Sequence, residues 1–463
     1  MTIYHSYSII ISYLRHPFVT KFSMMPQDKL LFPFVAISTT RKVNCNKLEN
    51  LLENVETLSD SSFGSYCWLY HSCQCEVNRS DLIQKCNTTT NGKMVEWGNN
   101  SEPNVERSLN DMSTSWKSKF LSHPKDFVVQ VKWDGEIFKM TSDCSKDLFC
   151  FGYYHSSLQL LVNYYGILKA DKIGKEHCLE ISLKVPSANP ARHGVLNDMD
   201  GFIVDFAPPK YISGAKRIIV QPGTSVSMSL REVQHKKLAA PFESKCIHAW
   251  EESFFHLVPE IIRQVIAQGL VGYHQESCHA ICRMNHLVEK CNCTWARISV
   301  VDIDKSYHIT PKCEEYKSDV WNCLKKNDLD LNDSRKICNC QMSCDLISYD
   351  VTVSSSKWPS MEFWQNAAKT FGGLDDNYTK STNPISQTMM KNNIMGKLAR
   401  VTIFFDSNQR ILIEEIAKFE SFWAFFITWG GAMSIYLGIS FMTLAGLILS
   451  LYEKIVHFCV NFE

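Results

Sequence analysis

Two hydrophobic rhythms divide this chain. Between 126 and 235, short runs alternate apolar and polar residues: FVVQVKW (127–133), LEISLKV (179–185), GFIVDFA (201–207), AKRIIVQ (215–221) and SVSMSL (225–230). Period-two alternation is the mark of half-buried strands, and these read as antiparallel neighbours. Gly201, Pro208-Pro209 and Pro222-Gly223 supply the turns between them. An earlier run, LFPFVAIS (31–38), reads as a buried strand with Pro33 at its start. From 247 to 346 the period lengthens, and AWEESFFHLVPEIIRQVIAQ (249–268) and SCHAICRMNHLVEKC (277–291) read as helices. GKLARVTIFFD (396–406) predicts a strand leading toward a membrane.

The last pattern is a block with no rhythm. From Ser421 to Leu451 no charged residue occurs, and charge resumes at Glu453 and Lys454. A bilayer core takes about 20 helical residues, so a block of about 30 has length to spare. A straight helix of that length would measure about 45 Å against a core of about 30 Å. A break or an extension above the membrane is expected, with Gly430-Gly431, Gly438 and Gly446 as the weak points. A plain single-pass anchor is the competing reading, although an anchor needs neither the length nor the glycines. Glu414, Glu415 and Glu420 precede the block, where carboxylates would concentrate cations at an outer mouth or simply be solvated. At the other end of the chain, Ile3 to Leu14 is apolar but too short to span, and reads as the outer end of a helix.

Composition fixes the compartment. The 463 residues carry 48 basic and 48 acidic side chains, and no basic block offers the phosphate-neutralising face a nucleic acid requires. Nineteen cysteines are too many for ordinary buried thiols, and all but Cys459 precede the apolar block. Asn-x-Ser/Thr acceptors at Asn78, Asn87, Asn99, Asn332 and Asn377, with a further triplet at Asn292, lie among those cysteines. Glycan acceptors interleaved with cysteines describe an oxidising, extracellular segment, and an even number of cysteines there suits a disulfide framework. Zinc is the alternative, since Cys338-x-Cys340-x3-Cys344 and Cys291-x-Cys293 are close enough to chelate, but the two-residue spacers of zinc ribbons are missing. Cys278 and Cys282 lie one helical turn apart and face one way, as do Cys338 and Cys340 on an extended stretch, which suggests a ladder of bridges. No nucleophile elbow, His-Glu-x-x-His, P-loop or dinucleotide fingerprint occurs, the histidines show no ligand spacing, and the chain reads as no enzyme, without cofactor or metal.

Three stretches together resemble the degenerin/epithelial sodium channel/acid-sensing ion channel family, in an invertebrate-like form. His16-Pro-Phe-Val-Thr-Lys21 followed by Phe32-Pro-Phe-Val-Ala-Ile37 is similar to the segment after that family's first membrane helix. Pro222-Gly-Thr224, Leu238-Ala-Ala-Pro-Phe242, Cys246, Tyr273-His-Gln-Glu-Ser-Cys278, Cys282, Cys291, Cys293, Cys338, Cys340, Cys344 and Tyr349 resemble its palm and thumb array, with Trp358-Pro-Ser360 after it. Gly430-Gly431 and Gly438-Ile439-Ser440 resemble its pore helix.

The resemblance implies an α+β membrane protein with a β-sheet palm, a helical thumb, a truncated first membrane helix (1–14) and an extracellular ectodomain (15–420). Within that ectodomain, 60–125 forms a glycosylated excursion, 126–235 the β-rich palm, 247–346 the thumb and 347–420 the last palm strand and wrist. A pore-lining helix (421–452) and a cytoplasmic tail (453–463) complete it. It implies the bridges Cys246–Cys344, Cys278–Cys340, Cys282–Cys338, Cys291–Cys323 and Cys293–Cys313, and a further one from Cys150 to Cys45. It implies a plasma-membrane homo- or heterotrimer, in contact with lipid, that passes Na+, is amiloride-sensitive and answers an extracellular stimulus. Gly438, Ile439 and Ser440 would form the selectivity filter, and Ile427, Thr428, Gly430, Gly431 and Ser434 would line the pore and gate. The family's carboxylates below the filter are Gly446 and Leu449 here, and its small outer-pore residue is Ile427, a bulky replacement expected to favour an open gate.

Overall fold

The structure, a computed structural model, describes residues 2–40, 122–142, 147–154, 157–185, 201–210, 216–252, 271–292, 340–360, 396–419, 422–437 and 441–460, with a few single positions between them. In chain order the described strands are β1 (Phe18–Pro26), β2 (Leu30–Leu31), β3 (Phe34–Thr39), β4 (Val128–Trp133), β5 (Glu136–Phe138), β6 (Phe149–Tyr154), β7 (Ser157–Val162) and β8 (Lys169–Ala170). They continue as β9 (Leu179–Lys184), β10 (Phe202–Ala207), β11 (Lys216–Val220), β12 (Thr224–Lys236), β13 (Asp345–Lys357), β14 (Leu398–Phe405) and β15 (Gln409–Ala417). The helices used below are α1 (Thr2–Leu14), α2 (Gln275–Cys291), α3 (Phe422–Leu437) and α4 (Phe441–Val460).

The predicted alternating runs are strands, but they divide between two sheets. The large sheet is built on β12, whose whole length pairs antiparallel with β13 on one edge. The other edge takes β14 first and β15 further along, both parallel to it. Beyond them the sheet forks: β14 continues to β9, β4 and β5, whereas β15 continues to β1. A second sheet runs β11-β10-β3-β7-β6.

These sheets stack, and the alternation of β3 shows how. Val35 and Ile37 enter the core shared with the large sheet, alongside Ile181, Leu183, Val401 and Ile403. Phe34 and Ala36 enter a second core on the other side, with Trp250, Tyr273, Cys278 and Ile281. Both faces of β3 are therefore covered, which is why its sequence reads as continuously apolar rather than alternating. Pro33 sits between β2 and β3, where no ladder hydrogen bond is needed from its nitrogen. Phe32 meets Trp133 and Phe405 edge to face at 4.9 and 6.0 Å, and truncating such a buried ring costs about 3–5 kcal/mol.

The second core is closed by disulfides. Cys278 and Cys282 on α2 bond Cys340 and Cys338, so one helical turn is stapled to one extended segment. Cys246 bonds Cys344 at the foot of this layer, and Cys291 bonds Cys323 at the end of α2. Cys150 is bridged to a partner outside the described residues. Cys45, Cys293, Cys313 and the acceptors Asn78, Asn87, Asn99, Asn332 and Asn377 also lie outside them; Asn292, exposed in left-handed conformation, ends α2. One expectation is corrected: Cys178 is a free, half-buried thiol, so the cysteines before the apolar block do not all join the framework. Its carbonyl accepts the Asp134 N–H at 3.1 Å beside a contact in which His177 Nδ1 donates to the Asp134 carboxylate, and burial pushes its thiol up.

One further expectation changes. GKLARVTIFFD is β14, but it does not lead to the apolar block, because β15 intervenes. The apolar block is described as two helices, α3 and α4, on either side of 438–440, and α4 continues through Glu453 and Lys454 to Val460. Among the described residues no helix is long and apolar enough to cross a membrane.

Replacing both Cys246 and Cys344 by Ala opens a bridge spanning 98 residues. Chain entropy then predicts a loss of about 4–5 kcal/mol, read as a lowered Tm of the purified chain. A second test concerns His274, which begins α2 and is buried to 9% exposure. Burial holds its imidazole down to about 4, with Glu276 pulling weakly the other way. The unfolded chain protonates this group near 6.5 and the folded one does not, so stability falls as pH drops from about 6.5 to 4, by about 3 kcal/mol. His274→Gln should flatten the Tm-against-pH profile across that window.

Candidate functional site

The site is built from the ribbon of β1 and β15, which pair antiparallel from Phe18↔Ala417 to Pro26↔Gln409. Helix α1 enters β1 and helix α3 leaves β15, so both helices hang from one hydrogen-bonded hairpin-like pair. The reversal after α1 falls at His16, a non-glycine residue in left-handed conformation at φ 48°. The pair closes with Lys418 N–H donating to Pro17 O at 2.9 Å.

Aromatic rings fix the helices against each other. Tyr13 lies 4.5 Å from Phe425, 5.7 Å from Phe419 and 6.5 Å from Phe422. Further along, the Ser6 hydroxyl reaches Met433 Sδ at 3.3 Å. Moving from residue 13 to 6 while the partner runs from 425 to 433 makes the two helices antiparallel. The aromatic cluster extends to Phe426 and Trp429 on α3, and Trp423 stands 72% exposed beside it. Aromatic side chains with one wet and one apolar side are the residues that settle at a membrane interface.

Helix α3 turns its other side away from α1. Ile427, Gly430, Gly431 and Ser434 recur at helical spacing on an exposed face, and Ile427 is 74% exposed. A side chain added at Gly430, Gly431 or Gly446 would meet nothing within 4 Å. Thr428 is also exposed, and its hydroxyl donates to Ala424 O of its own helix at 2.8 Å. Gly438, Ile439 and Ser440 lie outside the described residues. Ile427, Gly430, Gly431 and Ser434 thus share one exposed stripe, on the side of the helix away from the α1 contact.

The carboxylates preceding the block are placed differently from expectation. Glu415 accepts from Leu238 N–H at 3.0 Å and from Ser244 Oγ at 2.7 Å, so it ties β15 to the loop after β12 and is no free charge at a mouth. Glu414 stands in the ribbon opposite Lys21, and Glu420 lies outside the described residues. The loop held by Glu415 runs to Cys246, and its Phe242 meets the His16 ring at 5.9 Å. The large sheet, the disulfide layer and both helices therefore converge on one junction.

The profile of the amiloride-sensitive sodium channel family matches residues 1–449, nearly the full length. The chain belongs to that family. It is 24% identical to degenerin deg-1 of Caenorhabditis elegans over 242 residues, covering 51% of this chain and 27% of that protein. It is 29% identical to degenerin-like protein unc-105 of the same organism over 96 residues, covering 19% of this chain and 11% of that protein. The matched part thus spans about a quarter of the first relative and a tenth of the second. Family members are plasma-membrane ion channels assembled from homologous subunits, and are not enzymes.

Sequence reasoning missed Tyr13 as an anchor and β15 as a strand. An aromatic pair at opposite ends of the chain, Tyr13 and Phe425, leaves no local signal, whereas QRILIEEIA (409–417) carries one in its β-branched residues. Tyr13→Ala should weaken the α1–α3 contact by about 1–3 kcal/mol. A cysteine pair at Ser6 and Met433 should then cross-link more slowly than in the otherwise unaltered chain.

Proposed function

We propose that the chain is a subunit of a trimeric, sodium-permeable, amiloride-sensitive cation channel in the plasma membrane, opened by an extracellular stimulus. The observation that carries this reading is the exposed stripe of Ile427, Gly430, Gly431 and Ser434 in a chain whose family match runs through it. Three small residues on that face, Gly430, Gly431 and Ser434, left exposed among the described residues, fit close approach by copies of the same helix. Gly438, Ile439 and Ser440 follow as the filter, where backbone carbonyls and the Ser440 hydroxyl replace part of the hydration shell of Na+. Gly438 leaves room for neighbouring chains at the axis. The disulfide-braced sheets are extracellular and glycosylated, and α1 is the outer part of the first membrane helix.

A second reading, a non-conducting modulatory subunit that acts only within channels of homologous partners, is favoured by Gly446 and Leu449. Those positions leave the stretch below the filter without a carboxylate to attract cations.

Voltage clamp of cells expressing the chain, alone and with homologous subunits, separates these readings. The first expects an amiloride-blocked Na+ current from the chain alone, raised at rest by Ile427 and lowered by Ile427→Ala. Ser440→Val should shift the Na+/K+ permeability ratio by about tenfold, the scale of one lost coordinating contact at about 1.4 kcal/mol. Current only with partners supports the second reading, and a permeability ratio indifferent to Ser440 removes the filter assignment.

A further inference from the structure

Strand β14 does not run straight into β15. Both lie parallel on the same edge of β12, yet β12 advances from Leu230 to Val233 while the partner advances from Phe405 to Ile411. The surplus leaves the ladder as a jog of about 10 Å of chain at 3.3 Å per residue. This jog is where the sheet forks. Below it, β15 holds β1 along its whole length but touches β12 only from Val233 to Lys236. The ribbon and both helices are thus firmly joined to each other and narrowly joined to the rest of the sheet.

Two consecutive residues of β12 pin this jog, one on each face, as strand geometry requires. On the outward face Arg231 Nη2 reaches Asp406 Oδ2 at 3.3 Å, and Ser229 Oγ donates to the same oxygen at 3.2 Å. On the inner face Glu232, at 0% exposure, holds the Arg410 Nε at 2.5 Å. Its other oxygen accepts Leu31 N–H at 3.1 Å, and Arg410 Nη1 donates to Gln234 Oε1 at 3.1 Å. Strand β13 lends Tyr349, whose hydroxyl donates to Leu31 O at 2.9 Å. Asp406 opens the jog and Arg410 closes it. A slip of β15 in either direction would carry Arg410 away and leave a buried carboxylate uncompensated, which is among the costliest changes a fold can make.

We propose that Arg231 and Glu232 form a two-faced clamp that sets the register of β15 on β12, and so act as positioning residues for the α3 helix and its gate. The register claim stands on the contacts above; its consequence for gating rests on the channel reading. Glu232 and Arg231 touch no part of the pore stripe, so their effect reaches it only through β15.

The test uses the full chain in detergent micelles and in cells. Glu232→Gln and Arg231→Glu should each raise hydrogen exchange at Ile411–Ile413 by about tenfold while Val401–Ile403 on β14 stay protected. Adding Asp406→Arg to Arg231→Glu should restore protection; this exposed pair serves if Glu232→Gln fails to fold. In cells the same variants should shift the half-activating stimulus by about threefold or more, leaving the Na+/K+ permeability ratio unchanged. The clamp is overturned by unchanged exchange in β15, by equal loosening of β14, or by failure of the reversed pair to restore protection. Absence of current from every form, the unaltered chain included, both alone and with homologous subunits, would refute the channel reading while exchange still decides the clamp.

Discussion

The structure depends on β12 and on the different uses of its two edges. One edge is filled by β13 from end to end, and the other is shared by β14 and β15. Sharing an edge forces a discontinuity: Asp406 N–H still donates to Leu230 O of β12 at 3.3 Å, but Asn408 O turns away to Gln27 N–H, and side chains supply the rest of the hold. Arg231 and Glu232 meet that need from opposite faces. The energetic weights differ: the half-exposed Arg231–Asp406 pair is worth up to about 1 kcal/mol, whereas removing one partner of a buried pair costs about 3–5 kcal/mol. Burial pushes the Glu232 carboxyl up, opposed by Arg410 and by the Leu31 N–H.

Everything nearer the helices follows from that arrangement. The ribbon of β1 and β15 hangs below the jog, and α1 and α3 continue its two strands. Tyr13 then joins the helices through aromatic contacts with Phe419, Phe422 and Phe425. A third tie runs from Glu415 to the loop before Cys246, which the bridge to Cys344 anchors in the disulfide layer. The disulfide layer and the large sheet therefore both meet the helix pair at the same few residues, His16, Phe242 and Glu415. The body above is held by two cores, and β3 contributes to both because its two faces are covered by different layers.

The sequence alone determined the local patterns whose physics is local. Alternation placed β4, β9, β10, β11 and β12, the helical spacing of Cys278 and Cys282 placed two thiols on one face, and the uncharged run after Glu420 marked the apolar block. A period of two or of 3.6 residues is imposed by each segment's own geometry, so a single segment suffices to reveal it. Only the tertiary structure decided which sheet each strand joins, that β12 has parallel partners on one edge, and that Glu415 is bound rather than free. The same holds for Cys178, which stays a free thiol, and for Arg410, whose partner lies far away in sequence at Glu232. Each of these depends on contacts between segments remote in the chain. Such contacts are chosen by packing and desolvation of the assembled whole, which no window of sequence contains.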